Sequence, residues 1–279
     1  MNKLKALSPR LFAFLATAAL LAPSGDGQAA GVADSLMPHR AVYELELASP
    51  RGDGGVVEIG GQVEFIWDDV CDGWTVIQKS RFIVGRADGY DVAFGSTVSA
   101  WESKDGLRYR FFIKRDQDGQ ETENIRGIAT LESQGGGGTA RFTEPEDKTT
   151  DLPKGTIFPT THSLEILERV IAGKDLSLWS TQFDGTGEDG GLAGVSTALV
   201  AELPSDEPGA IESPLLEGQP SWRIAMAYFG MGQGEAEPNQ EQRLRIYKNG
   251  VVDFFSIDYG SFAFDAELIE LEAYPEPDC

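Results

Sequence analysis

Apolar and polar side chains alternate along most of the chain from about residue 40 onwards. The alternation is clearest in segments 43–47, 57–67 and 107–113, where apolar residues take every second position and charged or small residues lie between them. Such a pattern gives a strand one buried and one solvated face, which is typical of antiparallel sheets. Further strands are predicted at 74–84, 89–102, 121–133, 138–144, 176–183, 193–202, 220–230 and 261–273.

Turns and loops separate these segments. The dipeptide Asn249-Gly250 is the strongest hairpin signal in the chain. A strict two-residue turn there pairs Arg245 with Phe254 and Ile246 with Asp253, so neither face of the hairpin is cleanly apolar. Either a bulge near the turn or partial cover on both faces would resolve the mismatch. Segments rich in glycine, proline or acidic residues predict loops at 135–138, 184–191 and 203–219.

One segment departs from the alternation and predicts a short α-helix at about 161–172. Leu164, Leu167 and Val170 share one helical face, Thr160-Thr161 provide an N-terminal cap, and Gly173 ends the helix. We expect this helix to pack against the sheet. Many strands with one helix favour a barrel-like or strongly curved sheet, although the length also allows two smaller domains.

The N-terminus has the three-part pattern of a secretory signal. Basic residues precede the apolar run 11–22, and small residues follow it. Cleavage is expected after Ala29, with Ala33 as the second candidate, so residues 1–29 form the signal peptide and 30–279 the mature chain. A transmembrane anchor is not expected, because the run is much shorter than the roughly 20 residues that span a bilayer. The protein is therefore predicted to be exported to the periplasm.

The only two cysteines of the chain are Cys71 and Cys279, the last residue. Exported proteins keep disulfides that the reducing cytosol does not favour, and two cysteines allow a single pairing. A bond between them is favoured over two unpaired thiols, and we expect it to hold a wound sheet shut.

Charge and composition narrow the function. The formal charge of −22 excludes nucleic-acid binding, since polyanions repel each other. Metal sites and nucleophile–base pairs usually require histidine, and the chain has only two, His39 and His162. Neither kind of site is therefore predicted. The segment 185–190 formally matches GxGxxG, but its acidic neighbours make a nucleotide site a poor interpretation. No catalytic, cofactor-binding or metal-binding residues are predicted. The five tryptophans are interpreted as sheet core, with an apolar cavity as the alternative.

Several segments, in order along the chain, resemble the cell envelope integrity EipB family of periplasmic proteins, which is described mainly in alphaproteobacteria. They are Pro38-His39-Arg40-Ala41-x-Tyr43, Trp101-Glu102-Ser103-x-Asp105-Gly106-Leu107-x-Tyr109-x-Phe111, Leu152-Pro153-x-Gly155-Thr156-x-Phe158-Pro159-Thr160-x-His162 and Phe183-Asp184-Gly185, together with the two cysteines. The resemblance covers nearly the whole mature chain.

The resemblance implies a single-domain, open, spiral-like antiparallel β-barrel over residues 30–279, with the one short helix against it. It also implies a Cys71–Cys279 disulfide and a role in keeping the cell envelope intact. The family architecture is similar in outline to lipoprotein carriers that hold acyl chains, and its members are linked to a periplasmic tetratricopeptide-repeat protein. It supplies no catalytic residues.

Three functions follow as hypotheses. The first is a non-catalytic periplasmic protein that maintains envelope integrity through a protein partner. The second is a carrier of a lipid or lipopeptide, which requires an apolar cavity inside the curved sheet. The third is an envelope glycan hydrolase that uses carboxylates.

Overall fold

The computed structural model describes residues 28–50, 55–186, 190–231 and 237–279. Most of the predicted signal peptide, 1–27, therefore lies outside the described residues. So do residues 187–189 of the GxGxxG match.

The described residues form one extended sheet with two short helices. The helices are α1 (Gln28–Ala33) and α2 (Pro159–Ile171); the strands are β1 (His39–Pro50), β2 (Val56–Asp69), β3 (Gly73–Arg86), β4 (Asp91–Ser103), β5 (Arg108–Gln117), β6 (Gln120–Leu131), β7 (Gly138–Glu144), β8 (Lys148–Leu152), β9 (Thr156–Ile157), β10 (Ser177–Phe183), β11 (Leu192–Leu203), β12 (Ser221–Gly230), β13 (Gln240–Tyr247), β14 (Val252–Asp258) and β15 (Phe262–Ala273). Neither helix is long and apolar enough to cross a membrane.

The sheet consists of two meanders joined at one place. Strands β1 to β8 pair in chain order, and so do β9 to β15. The two runs are joined in the sheet by the antiparallel ladder between β1 and β15, where Tyr43 lies opposite Leu268 and Leu45 opposite Ala266. The free edges are therefore β8 and β9, which only residues 153–155 separate in the chain. The predicted mainly β, open barrel-like architecture is confirmed.

The two ends of the sheet overlap rather than meet edge to edge. Phe183 lies opposite Leu192 in the β10–β11 ladder, and both pack into the cluster built by β5, β6 and β7. Val195, on the other face of the same ladder, packs with α2. Because alternate residues point to opposite faces, β10 and β11 lie between two layers. This overlap makes the barrel a spiral.

Three apolar clusters fill the interior. The first surrounds Tyr109, Phe111 and Phe183. The second joins α2 to β11, β12 and β13 and includes Val32 of α1. The third lies on β1, β2 and β15 and is covered by Leu216 from the segment between β11 and β12.

The helix prediction is partly corrected. Helix α2 begins at Pro159, two residues before the predicted start, and ends before Gly173 as expected. Its N-cap residue is Phe158, which makes no side-chain capping bond. The predicted threonine cap is therefore wrong. Helix α1 was not predicted, because six residues within a presumed cleavage region carry no helical pattern of their own.

The hairpin at Asn249-Gly250 has both features that could account for its mixed pattern: a bulge near the turn and cover on both faces. The loop spans three residues, since the Tyr247 N–H donates to Val251 O at 2.8 Å. Arg245 lies opposite Phe254 as expected, but Ile246 lies opposite Val252, so Asp253 is bulged.

The segment between β11 and β12 also covers this hairpin. The buried Arg245 donates from Nη1 to Pro208 O at 2.6 Å and from Nη2 to Glu207 O at 3.0 Å. Arg245 interrupts the apolar pattern of the hairpin, and its guanidinium group is hydrogen-bonded by backbone carbonyls of the predicted loop 203–219.

Cys71 and Cys279 are joined in a disulfide that spans 208 positions. Cys71 lies in the turn between β2 and β3, and Cys279 ends the tail that follows β15. Strands β15, β1, β2 and β3 are consecutive neighbours in the sheet. The predicted bond between Cys71 and Cys279 is confirmed, and it braces the junction of the two meanders rather than the free edges β8 and β9.

We expect Cys71→Ser and Cys279→Ser to lower stability equally, and the double variant to lower it no further. Loop-closure entropy alone gives an upper bound of about 5 kcal/mol for so long a loop. Thermal unfolding of the oxidised chain, with and without reductant, measures this. Coincident melting curves for wild type and both single variants would contradict the assignment of a stabilising bond.

Candidate functional site

Three of the segments that carry the family resemblance meet at one place, which we call the seam. It is formed by the end of β4, the start of α2 and the end of β10, and its central residues are Glu102, Tyr109, Phe158, Thr161 and Phe183. The seam holds the overlapping ends of the sheet together.

Glu102 supplies the cap that α2 lacks from its own sequence. Its side chain is 1% exposed. Oε2 accepts the Thr160 N–H at 2.7 Å, and Oε1 accepts the Thr161 N–H at 2.9 Å and the Thr161 hydroxyl at 2.5 Å. Free backbone N–H groups and the helix dipole favour a carboxylate at a helix N-terminus. A residue of β4 thus fixes a helix that lies 58 positions later in the chain.

The turn after Glu102 is held by its own side chains. The Ser103 hydroxyl donates to Asp105 Oδ1 at 2.5 Å, and Ser103 Oγ accepts the Arg108 N–H at 2.9 Å. Asp105 Oδ1 also accepts the Leu107 N–H at 3.0 Å. These bonds set the direction in which β5 leaves the turn, and so position Tyr109 beneath α2.

Stacked aromatic rings fill the seam below the helix. The ring centroids of Tyr109 and Phe158 lie 5.1 Å apart, and Phe183 contacts both rings edge-on at 6.3 Å. Gly185 has a φ of 77°, and a side chain there would collide with the Phe111 ring. Offset and edge-to-face pairs are the favoured aromatic arrangements, so this is well-packed core rather than an open cleft.

Burial governs the ionisation of the polar groups at the seam. It raises the pKa of Glu102, against the lowering effect of the bonds from Thr161 and Thr160. It likewise raises the pKa of Asp184, whose carboxylate accepts the Thr186 N–H and hydroxyl at 2.8 Å. Each carboxylate is occupied by neighbouring donors, so neither is an open acid or base.

The two histidines lie apart and serve packing. Burial lowers the pKa of His162 to about 4, and its Nε2 lies 3.2 Å from Thr197 Oγ1. His39 is buried beside Phe65, and its Nδ1 lies 2.7 Å from Met37 O. Within the described ranges, no group of three or more histidine, cysteine or acidic residues could hold a metal ion.

The tryptophans divide between core and surface. Trp67, Trp74 and Trp222 are buried, which agrees with their interpretation as core, whereas Trp179 is 62% exposed. Trp179 borders a concavity of about 530 Å³ between α2 and β10 that is also lined by Glu165, Glu168, Arg169 and Lys174. A lining with four charged side chains suits a polar partner better than an acyl chain.

Sequence reasoning missed the central residue of the seam. Glu102 follows Trp101 at the end of a strand, where a carboxylate is usually solvated. Its only local signal is its position: it replaces an apolar residue on the face that Val98 and Ala100 share.

We expect Glu102→Ala to destabilise the protein by about 3 kcal/mol, because buried donors at the start of α2 lose their acceptor. Chemical denaturation measures the loss. Glu46→Ala is the matched control, since Glu46 is exposed and faces Asp265 across β1 and β15. The two variants losing similar stability would refute the cap.

The difference in stability between wild type and Glu102→Ala should depend on pH. The raised pKa of Glu102 means that the folded state holds this proton more tightly than the unfolded state. Its contribution to the free energy of unfolding should therefore fall as the pH rises above the unperturbed glutamate pKa of 4.5 and through the higher pKa of the folded state. The stability difference between wild type and Glu102→Ala should shrink over that range.

Comparisons with known proteins show which family this chain is similar to. The "EipB-like" family model matches residues 30–275. The chain is 28% identical over 266 residues to the "Cell envelope integrity protein EipB" of Brucella abortus, covering 93% of this chain and 92% of that protein. A crystal structure of a β-barrel-like protein of a domain of unknown function, also from Brucella abortus, superposes with a TM-score of 0.78 at 24% identity, covering 86% of this chain and 99% of that one. The chain belongs to the EipB-like family.

Proposed function

We propose that the protein is a periplasmic, non-catalytic component that maintains the integrity of the cell envelope and acts through a protein partner. The similarity to a Brucella protein named for cell envelope integrity supports the envelope role, since it extends over nearly the full length of both chains.

The structure of the seam supports the proposal that the protein is not a catalyst. The residues of the family resemblance that lie there build a closed junction. Both carboxylate oxygens of Glu102 are engaged by α2, and Phe158 and Phe183 are fully buried. A catalytic carboxylate needs access to substrate and a free lone pair. These residues instead hold the sheet in a wound form that presents its outer faces to other molecules.

The contacts of the described N-terminal residues bear on where a signal peptide would be cleaved. We propose that residues 1–29 are the signal peptide and that cleavage follows Ala29 rather than Ala33. Val32 is 8% exposed and packs in the cluster that includes Ile166 and Leu167 of α2. Cleavage after Ala33 would remove this contact, whereas cleavage after Ala29 keeps it.

The partner implied by the family is a periplasmic tetratricopeptide-repeat protein. The polar, charged lining of the concavity beside α2 and Trp179 is compatible with protein contact. We propose a protein of this class as the partner through which the envelope role is exerted.

Deletion of the protein in its native host should sensitise cells to detergent and to cell-wall antibiotics, and the wild-type chain supplied back should restore growth. The Cys71→Ser variant should restore it less well, because the folded population falls. Unchanged sensitivity on deletion would refute the envelope role. Purified protein that cleaves peptidoglycan or other envelope glycans would refute the non-catalytic part and favour the hydrolase.

One observation favours a second candidate, a lipid or lipopeptide carrier. Phe65, Phe82, Phe255 and Phe264 pack against the third cluster on the inner side of the sheet, yet each remains partly exposed. Phe82 stacks on Phe94 at 5.3 Å and extends this aromatic lining. Solvent-accessible rings on a concave face suit an acyl chain.

Native mass spectrometry of protein purified from its host tests the carrier. Bound lipid or lipopeptide is expected for a carrier, and Phe82→Asp together with Phe264→Asp should release it because charges enter the apolar lining. Replacing the outward Phe254 with aspartate is the control and should leave the bound mass unchanged. A mass equal to that of the polypeptide alone in every preparation would reject this candidate.

A further inference from the structure

The outer face of β4, β5 and β6 differs in charge from the rest of the molecule. The buried residues Tyr109, Phe111 and Ile113 point inwards from β5, so the residues between them point outwards. We call the outward group the arginine face: Trp101, Arg108, Arg110, Phe112, Arg126 and Ile128. Register places Trp101, Arg110 and Ile128 in one row across the three strands, with Phe112 and Arg126 in the next row.

The arginines of this face are unpaired. Arg108, Arg110 and Arg126 are all exposed and form no ion pair with any described residue. Register even places Glu144 opposite Arg126, but the Arg126 guanidinium lies over the Phe112 ring instead, 5.2 Å from its centre. In a chain with 45 acidic and 23 basic residues, unpaired arginines are unexpected.

The acidic residues cluster on a different face. On the outer side of β1 and β15, Glu44 lies opposite Glu267 and Glu46 opposite Asp265. Like charges directly opposite each other destabilise a sheet. Beside these rows, Arg40 pairs with Glu64 at 2.7 Å and Glu270 at 3.0 Å, and Lys79 pairs with Glu64 at 3.0 Å. These acidic rows therefore lie on a different part of the outer surface from the arginine face.

The guanidinium groups are held in position by aromatic rings. The Arg110 guanidinium lies 4.5 Å and that of Arg108 5.6 Å from the centre of the Trp101 ring. Cation–π contacts of this kind restrict the side chain and leave the N–H edges of the guanidinium free. Side chains that are already ordered lose less entropy when a partner binds.

The chemistry of the face selects a protein with acidic side chains. The face lies on the outer surface of the sheet, so it suits a broad surface better than a small ligand. Arginine and tryptophan are the residues most enriched at the centres of protein interfaces. A sugar would need an open aromatic ring, but arginines lie over one side of Trp101. Gly73 also lies against the indole, since a side chain there would collide with it. Carboxylates match the free guanidinium edges.

We infer that the arginine face is the docking surface for the acidic surface of a partner protein. This inference rests on the proposed function, because it assigns one surface, distinct from the concavity beside Trp179, at which the envelope partner binds. The acidic face of β1 and β15 assists by orienting the complex, since it repels an acidic partner that approaches from that side.

The first test separates docking from folding in the deletion strain. The full chain carrying Arg110→Glu and Arg126→Glu should fail to restore resistance to detergent. The chain carrying Arg81→Glu and Arg243→Glu, two exposed arginines of β3 and β13 that form no ion pair with any described residue, makes the same change in charge and should restore it. Both variants should accumulate and melt like wild type. Arg110→Gln with Arg126→Gln should restore resistance only in part.

The outcomes distinguish the two proposals. If wild type restores resistance and both glutamate variants also restore it, the docking inference is overturned while the envelope role stands. If deletion causes no sensitivity, the envelope role fails, and the binding test below decides the docking inference on its own.

The second test measures binding directly, with an oligoglutamate peptide as the probe and the oxidised full chain. Binding should quench or shift the fluorescence of Trp101, an effect absent in Trp101→Phe, and should weaken as salt is added. We expect a loss of affinity of roughly tenfold or more in Arg110→Glu with Arg126→Glu, and none in the control pair. Equal affinity in both would overturn the inference. So would arginine-dependent binding of phosphatidylglycerol vesicles or a uronic-acid glycan without binding of the peptide.

Discussion

The fold depends on a single long-range ladder, the pairing of the first strand with the last. Every other pair of neighbouring strands is consecutive in the chain; all of these pairs are antiparallel except β9 and β10, which are parallel and connected through α2. Only β1 and β15 bring together residues from opposite ends of the sequence. Such a contact carries a large loop-closure cost, which local hairpins avoid. Without it, the two meanders would each expose another edge, and exposed edges invite aggregation.

Several features of the structure reinforce this ladder. The Tyr274 N–H donates to Pro38 O at 2.8 Å and extends the pairing beyond β15. The Tyr43 hydroxyl donates to Val252 O at 2.8 Å and ties β1 to the start of β14. The disulfide then connects the tail to the turn after β2. Because the junction is fixed, the free ends of the sheet are brought into overlap, and Glu102 and the aromatic rings of the seam complete the spiral.

Alternation of apolar and polar residues in the sequence predicts most of the strands. It predicts few of the contacts that depend on how distant strands come together. Segment 57–67 reads as a strand because its apolar residues alternate, and β2 indeed covers it. Strand β8 was missed, because Lys148-Thr149-Thr150-Asp151 is polar throughout and forms an edge. Phe183 continues the pattern of β10, yet only the overlap of the sheet ends explains why its side chain, on the outward side of this strand, is buried. The cap from Glu102 was beyond prediction for the same reason, since its partner lies far away in the chain.

The distribution of charge connects this architecture to function. A spiral has an outer surface on many strands, and this one separates an acidic side on β1 and β15 from unpaired arginines on β5 and β6. The inner side offers partly exposed phenylalanines. The outer separation favours a protein partner and the inner lining favours a carrier, so each proposed function relies on a different side of the same sheet.

Native-state hydrogen exchange of the oxidised protein tests the central role of the β1–β15 ladder most directly. We expect the paired amides of His39–Pro50 and Phe262–Ala273 to exchange last, with the free energy of global unfolding. Exchange in these two strands well before the hairpin of β3 and β4 would show that the sheet persists without the ladder, and would contradict its central role.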